Sequence, residues 1–163
     1  MNKKIIVLVS FCFIFFTLDF ILKDLNKEKV LKEGINIKEI FKEADGDFKN
    51  LSISNIPSGW VVFRSGNIKN GISVVDSAKN IYGGDVSINK LGKNGFVLSY
   101  GGLPSGYLCE VLLKSQIGVG WNNYSVLNSE KKIIEYDFSS GEKIKNSCIG
   151  DNNITILFKY NNS

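Results

Sequence analysis

"NIYGGDVSINKLGKNGFVLSYGGLPSGYLCEVLL" (80–113) carries two hydrophobic periods in one short stretch. In "DVSIN" (85–89) Val86 and Ile88 alternate with polar residues, and in "FVLSY" (96–100) Phe96, Leu98 and Tyr100 fall on one side of an extended chain. "LGKNG" (91–95) separates these runs, with Asn94 and Gly95 as turn formers, so the pair reads as a β-hairpin. Gly83 and Gly84 just before it allow positive φ or a close backbone approach. Past "GLPSG" the period changes. Leu108, Leu112 and Ser115 share one face of a helix, with Val111 beside them and Ser105 placed to cap it. A hairpin that feeds a helix is the signature of an α+β chain.

Working outward, the same short apolar runs recur between glycine turns. "GWVVF" (59–63), "ISVV" (72–75), "NYSVL" (123–127), "KKIIEYDF" (131–138) and "NITILFKY" (153–160) read as further strands of a mostly antiparallel sheet. Upstream lies "DFILKDLNKEKVLKEGINIKEIFKEADGDF" (19–48). Leu22, Leu25, Val30, Leu31, Ile37, Ile40 and Phe41 recur there at helical spacings, and Gly34 is expected to bend or interrupt the helix. "DGD" (45–47) is a stop signal and falls well short of a calcium loop. The expectation is one long N-terminal helix, ending near Ala44, that lies on one face of the sheet. Leu25, Leu31, Ile37, Ile40 and Phe41 are expected to supply its contacts.

The start, "MNKKIIVLVSFCFIFFTLDFILK", sets Lys3 and Lys4 before an uncharged run over 5–18, then Asp19. As a helix, residues 5–22 would be about 27 Å long, close to the hydrocarbon thickness of a bilayer. A retained anchor, a cleaved signal peptide and a buried helix are the three readings. No small-x-small cleavage pattern follows the run, which passes without a break into the charged helix, and this favours the anchor. The lysines then mark the cytoplasmic side and the rest of the chain lies outside it. Residues 1–24 are accordingly assigned to the anchor and the N-terminal half of the helix, and 25–163 to a globular head that includes its C-terminal half.

The chain has 163 residues, room for one domain plus an anchor. It has no histidine, which removes the commonest general base, proton shuttle and zinc ligand together. A net charge of +4, with lysines interleaved with acids and Arg64 the only arginine, offers no nucleic-acid footprint. No cofactor, metal site or catalytic residue is expected. Of the three cysteines, Cys12 sits in the apolar run as a small hydrophobe. Cys109, inside a helix, is either a nucleophile or half of a disulfide. With no histidine to act as base, and an oxidising compartment outside the cytoplasm, Cys109 and Cys148 pair naturally. Closing a loop of about 40 residues would stabilise the fold by about 4 kcal/mol in the chain-entropy picture. Trp60 and Tyr136 read as core residues. Trp121, between "GVG" and "NN", reads as exposed, and with Tyr124 it forms a candidate binding surface.

The ordered set of motifs resembles the type IV pilins, in particular the type IVb pilins and their minor-pilin relatives. "NIKEIFKEADGDFKNL" (36–51) is similar to the exit of the pilin N-terminal helix into the head. The segment 80–113 resembles the family's Gly-Gly, strand, hairpin and cysteine-bearing helix start. "SCIGDNNITILFKY" (147–160) resembles its closing cysteine, Asn-rich turn and last strand. The resemblance implies a pilin-like fold in which Cys109 and Cys148 bound an exposed, variable region near the C-terminus. The chain departs from the family in its leader. No glycine lies in residues 1–33, where a processing site would need one, and no glutamate lies in the apolar run, where Asp19 is the only acid. A minor or atypical subunit is therefore expected.

By that resemblance the protein is a structural or minor subunit of a type IV pilus or related secretion filament. Assembly would run through the apolar helix, with Ile5, Leu8, Phe15, Leu22 and Asp19 as the candidate assembly residues. Its partners would be other pilin subunits, the pilus assembly machinery and, before assembly, the inner membrane. The head would stand outside the cytoplasm, on the inner membrane or in a cell-surface pilus. A membrane-anchored or secreted binding module outside any filament, adhesin-like or accessory, is the alternative. An exported enzyme is the third class, and no motif supports it.

Overall fold

The computed structural model describes the backbone of residues 3–46, 51, 53, 57–63, 75–127, 133–150 and 153–162. It describes their side chains from Ile21 onward, except at 62, 63, 75, 76 and 133. Helix α1 (Lys3–Gly46) runs for 44 residues, about 66 Å at the α-helical rise. No proline precedes Pro57, and helix-forming Leu, Lys and Glu dominate 21–43.

The described strands are β1 (Val61–Phe63), β2 (Val75–Lys79), β3 (Asp85–Leu91), β4 (Gly95–Leu103), β5 (Asn123–Leu127), β6 (Ile133–Tyr136) and β7 (Ile154–Asn161). They form one seven-stranded sheet in the order β1-β2-β3-β4-β7-β5-β6, every neighbouring pair antiparallel. Helix α2 (Tyr107–Ser115) follows β4, and helix α3 (Gly141–Ser147) lies between β6 and β7. Of the expected strand at 72–75 only Val75 is described, as the first residue of β2, and 72–74 lie outside the described residues.

The alternating residues of the central strands supply the core: Val86 and Ile88 from β3, Phe96, Leu98 and Tyr100 from β4, Ile154, Ile156 and Phe158 from β7. Val30, Ile37, Ile40, Phe41 and Ala44 of α1 close over them, at three-, four- and seven-residue steps along one helix face. The expected contacts Ile37, Ile40 and Phe41 are buried; Leu25 and Leu31 are not. Leu25 lies before the first buried position of α1, and Leu31 points away from the face defined by Val30, Ile37 and Ile40. Gly34 does not interrupt α1. A Cβ there would lie 2.2 Å from Ser115 Oγ, so the glycine is the point where α1 and α2 cross closely, and Gln116 Nε2 donates to its carbonyl at 2.9 Å.

The β3–β4 hairpin turns at 92–94, with Gly92 at φ 65°. Gly95, expected in the turn, instead begins β4, and a Cβ on it would lie 2.6 Å from the Tyr160 carbonyl oxygen of β7. Gly84 meets the close-approach expectation, since a Cβ there would sit 1.9 Å from the Gly101 carbonyl. Asn80 holds that contact. Its Oδ1 accepts from the backbone of Tyr82 and Gly84, and its Nδ2 donates to Gly101 O at 2.8 Å. The N-cap of helix α2 is Gly106, at φ 73° and with no side-chain hydrogen bond, so Ser105 is not its N-cap. Its buried residues are Cys109, Leu112 and Leu113.

Helix α3 was not foreseen in the sequence; Ser140 caps it by accepting from Lys143 N. Its C-cap residue Cys148 is bonded to Cys109 with the Cα atoms 5.6 Å apart, and Gly106 N donates to the Cys148 carbonyl at 2.8 Å. Both sulfurs are fully enclosed.

Candidate functional site

Helix α1 presents two different faces. The buried one contains, among apolar residues, Asn36 and Glu33, the latter 1% exposed. Trp60 Nε1 donates to both of its oxygens, at 2.9 and 3.0 Å, Tyr100 Oη donates to Oε2 at 2.5 Å, and Asn36 Nδ2 to Oε1 at 3.0 Å. Among the described residues no ammonium or guanidinium is paired with it. Hydrogen bonds to the charged form compensate the loss of water in place of a counter-ion. The charge acts back on its donors. Burial first, and then Glu33, raise the Tyr100 phenol above its ordinary value, and the same two causes push Tyr82 up to about 12. A carboxylate with both oxygens engaged and no solvent access serves as an anchor between α1, β4 and the segment at 57–60.

The outward face of α1 is the opposite case. Ile21, Leu22, Leu25, Leu31 and Ile35 are all exposed; Leu31 keeps 42% of its surface and Ile35 56%. Leu25, Glu28, Leu31 and Ile35 succeed one another at three- and four-residue steps and line a shallow cleft of about 530 Å³ with Lys29 and Lys32. Of the candidate assembly residues, Leu22 belongs to this exposed set. The side chains of Ile5, Leu8, Phe15 and Asp19 lie outside the described residues, although the backbone at those positions is helical. Among the described residues, no helix is long and apolar enough to cross a membrane.

Trp121 and Tyr124 do not form a binding surface. Trp121 is buried against Phe41, 4.6 Å between ring centroids, and against Phe96 and Phe158, and its Nε1 donates to Gln116 Oε1 at 3.3 Å. The flanking glycine that suggested a loop serves a close approach: a Cβ on Gly120 would lie 2.7 Å from Phe41 Cζ. Tyr124 is fully buried, stacked on Tyr136 at 5.4 Å, with its hydroxyl 3.2 Å from Ser147 Oγ. Trp60 is buried as expected, and Tyr136 is half-buried against the core.

The Glu33 cluster escaped sequence reading, yet it left a trace. Glu33 and Asn36 fall among Val30, Ile37 and Ile40 on one helix face, and a buried indole or phenol needs a partner for its polar end. Among the described residues, no group of three or more His, Cys, Asp or Glu side chains is placed to hold a metal ion. Compared with family models, with curated proteins and with solved structures, the chain matches none.

Proposed function

We propose that this protein is a pilin-like subunit of an extracytoplasmic filament, which assembles by packing its long N-terminal helix against the same helix of other subunits. The exposed apolar stripe on α1 carries this reading. The head buries the Val30–Ile37–Ile40 side of the helix, while Ile21, Leu25, Leu31 and Ile35 remain uncovered on the other side. Apolar side chains at helical spacing on a helix face favour burial against another helix. The head's disulfide suits a compartment outside the cytoplasm. Before assembly the apolar run at 5–22 would hold the chain in the inner membrane.

The test is immunoblotting and immunogold labelling of sheared surface filaments, with membrane fractionation of the same cells. The filament reading expects label along the fibres. Protein found only in membranes, in cells whose filaments form normally without it, would contradict that reading and favour an anchored binding module.

A further inference from the structure

Four asparagines open an N-x-S/T triplet in the sequence: Asn50, Asn123, Asn153 and Asn161. In an exported chain this triplet is the acceptor motif for N-linked glycosylation. We propose that Asn153, in "NIT" (153–155), is the acceptor of an N-linked oligosaccharide. The proposal rests on the extracytoplasmic reading of the head and not on assembly into a filament.

The chemistry needs an asparagine amide free to react, a hydroxyl two residues on that is free to be recognised, and room for the product. Asn153 meets all three. It is exposed and lies just before the first residue of β7. Among the described residues neither its side chain nor the Thr155 hydroxyl takes part in a hydrogen bond, whereas the side chains of Asn36, Asn80 and Asn122 are engaged. The alternation of β7 sends Ile154, Ile156 and Phe158 into the core and sets Thr155 on the opposite face of the sheet. Helix α1 reaches the core face through Phe41 against Phe96, and α3 through Ser147 against Tyr124, so both stand away from Thr155. The other triplets do not offer the same. Asn123 is half-buried with its Oδ1 enclosed, and Ser125 is fully buried. Asn161 lies within the ladder opposite Gly95, and its Ser163, like Asn50, falls outside the described residues.

Topology supplies the time for transfer. Strand β7 is the last described strand in sequence, yet it sits between β4 and β5. Non-local pairing of this kind forms slowly. Until it forms, 153–155 is free to enter a transferase. The Asn153 amide nitrogen then attacks the anomeric carbon of an oligosaccharide carried on a lipid pyrophosphate. An N–C bond forms as the C–O bond to phosphate breaks. The lipid pyrophosphate leaves with the electron pair, and the nitrogen gives up one proton. Once β7 has paired, the sugar stands on an exposed residue and displaces no core side chain.

The experiment is intact-mass measurement and glycopeptide mapping of the full chain purified from the cells that naturally make it, with the disulfide scored in the same digest. The expected result is a saccharide mass on Asn153 in disulfide-bonded protein. It should be lost in Asn153→Gln and in Thr155→Ala and kept in Thr155→Ser, while all three variants form the Cys109–Cys148 bond. Bare Asn153 in disulfide-bonded protein would overturn the proposal and leave the compartment reading standing. Bare Asn153 with both thiols free would overturn the two together. A saccharide mapped only to another residue, or Thr155→Ala modified to the parent level, would also overturn it.

Discussion

The indole N–H of Trp60 reaches across 27 positions of sequence to donate to both carboxylate oxygens of Glu33. That pair fastens the segment before β1 to the middle of α1, and Tyr100 adds β4 to the same carboxylate. Removing the acceptor strands three buried donors. Glu33→Ala is expected to lower unfolding free energy by about 2–4 kcal/mol, and Tyr100→Phe by about 1–3 kcal/mol. Denaturant titration of both variants and their double mutant checks this. The two losses should be clearly non-additive, since both remove the Tyr100–Glu33 bond.

The disulfide joins the α2 helix to the C-cap of α3 across a sequence separation of 39. Cys148→Ser should cost about 4 kcal/mol by loop entropy. Non-reducing peptide mapping should recover the Cys109–Cys148 peptide, and two free thiols in protein purified from the cell surface would contradict it.

Two glycines separate steric need from backbone strain. Gly84→Ala drives a methyl into the Gly101 carbonyl, a backbone atom with no rotamer to yield, and should cost about 3 kcal/mol. Gly92→Ala meets nothing within 4 Å and pays only for its positive φ of 65°, about 1 kcal/mol. Thermal melts of the two variants should rank them in that order.

Tyr82 and Tyr100 set an alkaline limit. Both phenols are raised in the folded state above the ordinary value of about 10. The unfolded chain therefore loses these protons first as pH rises. Their contribution to stability is complete below pH about 10 and is lost as pH climbs towards 12 and beyond. A pH series of denaturation midpoints should fall across that window. Tyr82→Phe should flatten part of the fall and leave neutral-pH stability unchanged or slightly higher, because the Tyr82 hydroxyl is buried with no hydrogen-bond partner among the described residues.

Periodicity made the architecture legible. Alternation in 85–89 and 96–100 located β3 and β4, and the helical spacing of Ile37, Ile40 and Phe41 located the packed end of α1. It did not separate the two faces of α1. Leu25 and Leu31 have the same chemistry as Ile37; Leu25 lies before the head's footprint, which begins at Val30, and Leu31 lies on the helix face turned away from it. Trp121 was misread because a glycine can mark either an open loop or a close approach, and Gly120 is the second kind. The Glu33 cluster joins α1 to Trp60 and to β4; the local pattern shows its polar residues in the buried face of α1, but not the distant indole and phenol that meet them.

The most direct test of the filament account is the filament content of a Leu31→Glu/Ile35→Glu variant, measured by immunoblot of sheared surface fractions against total cell protein. Both side chains are exposed on the subunit, so the head should fold, form its disulfide and melt as the parent does. The account predicts that the variant accumulates in the membrane and is lost from filaments, because two charges would be buried without partners between helices. Incorporation at the parent level, with the same folded head, would contradict it.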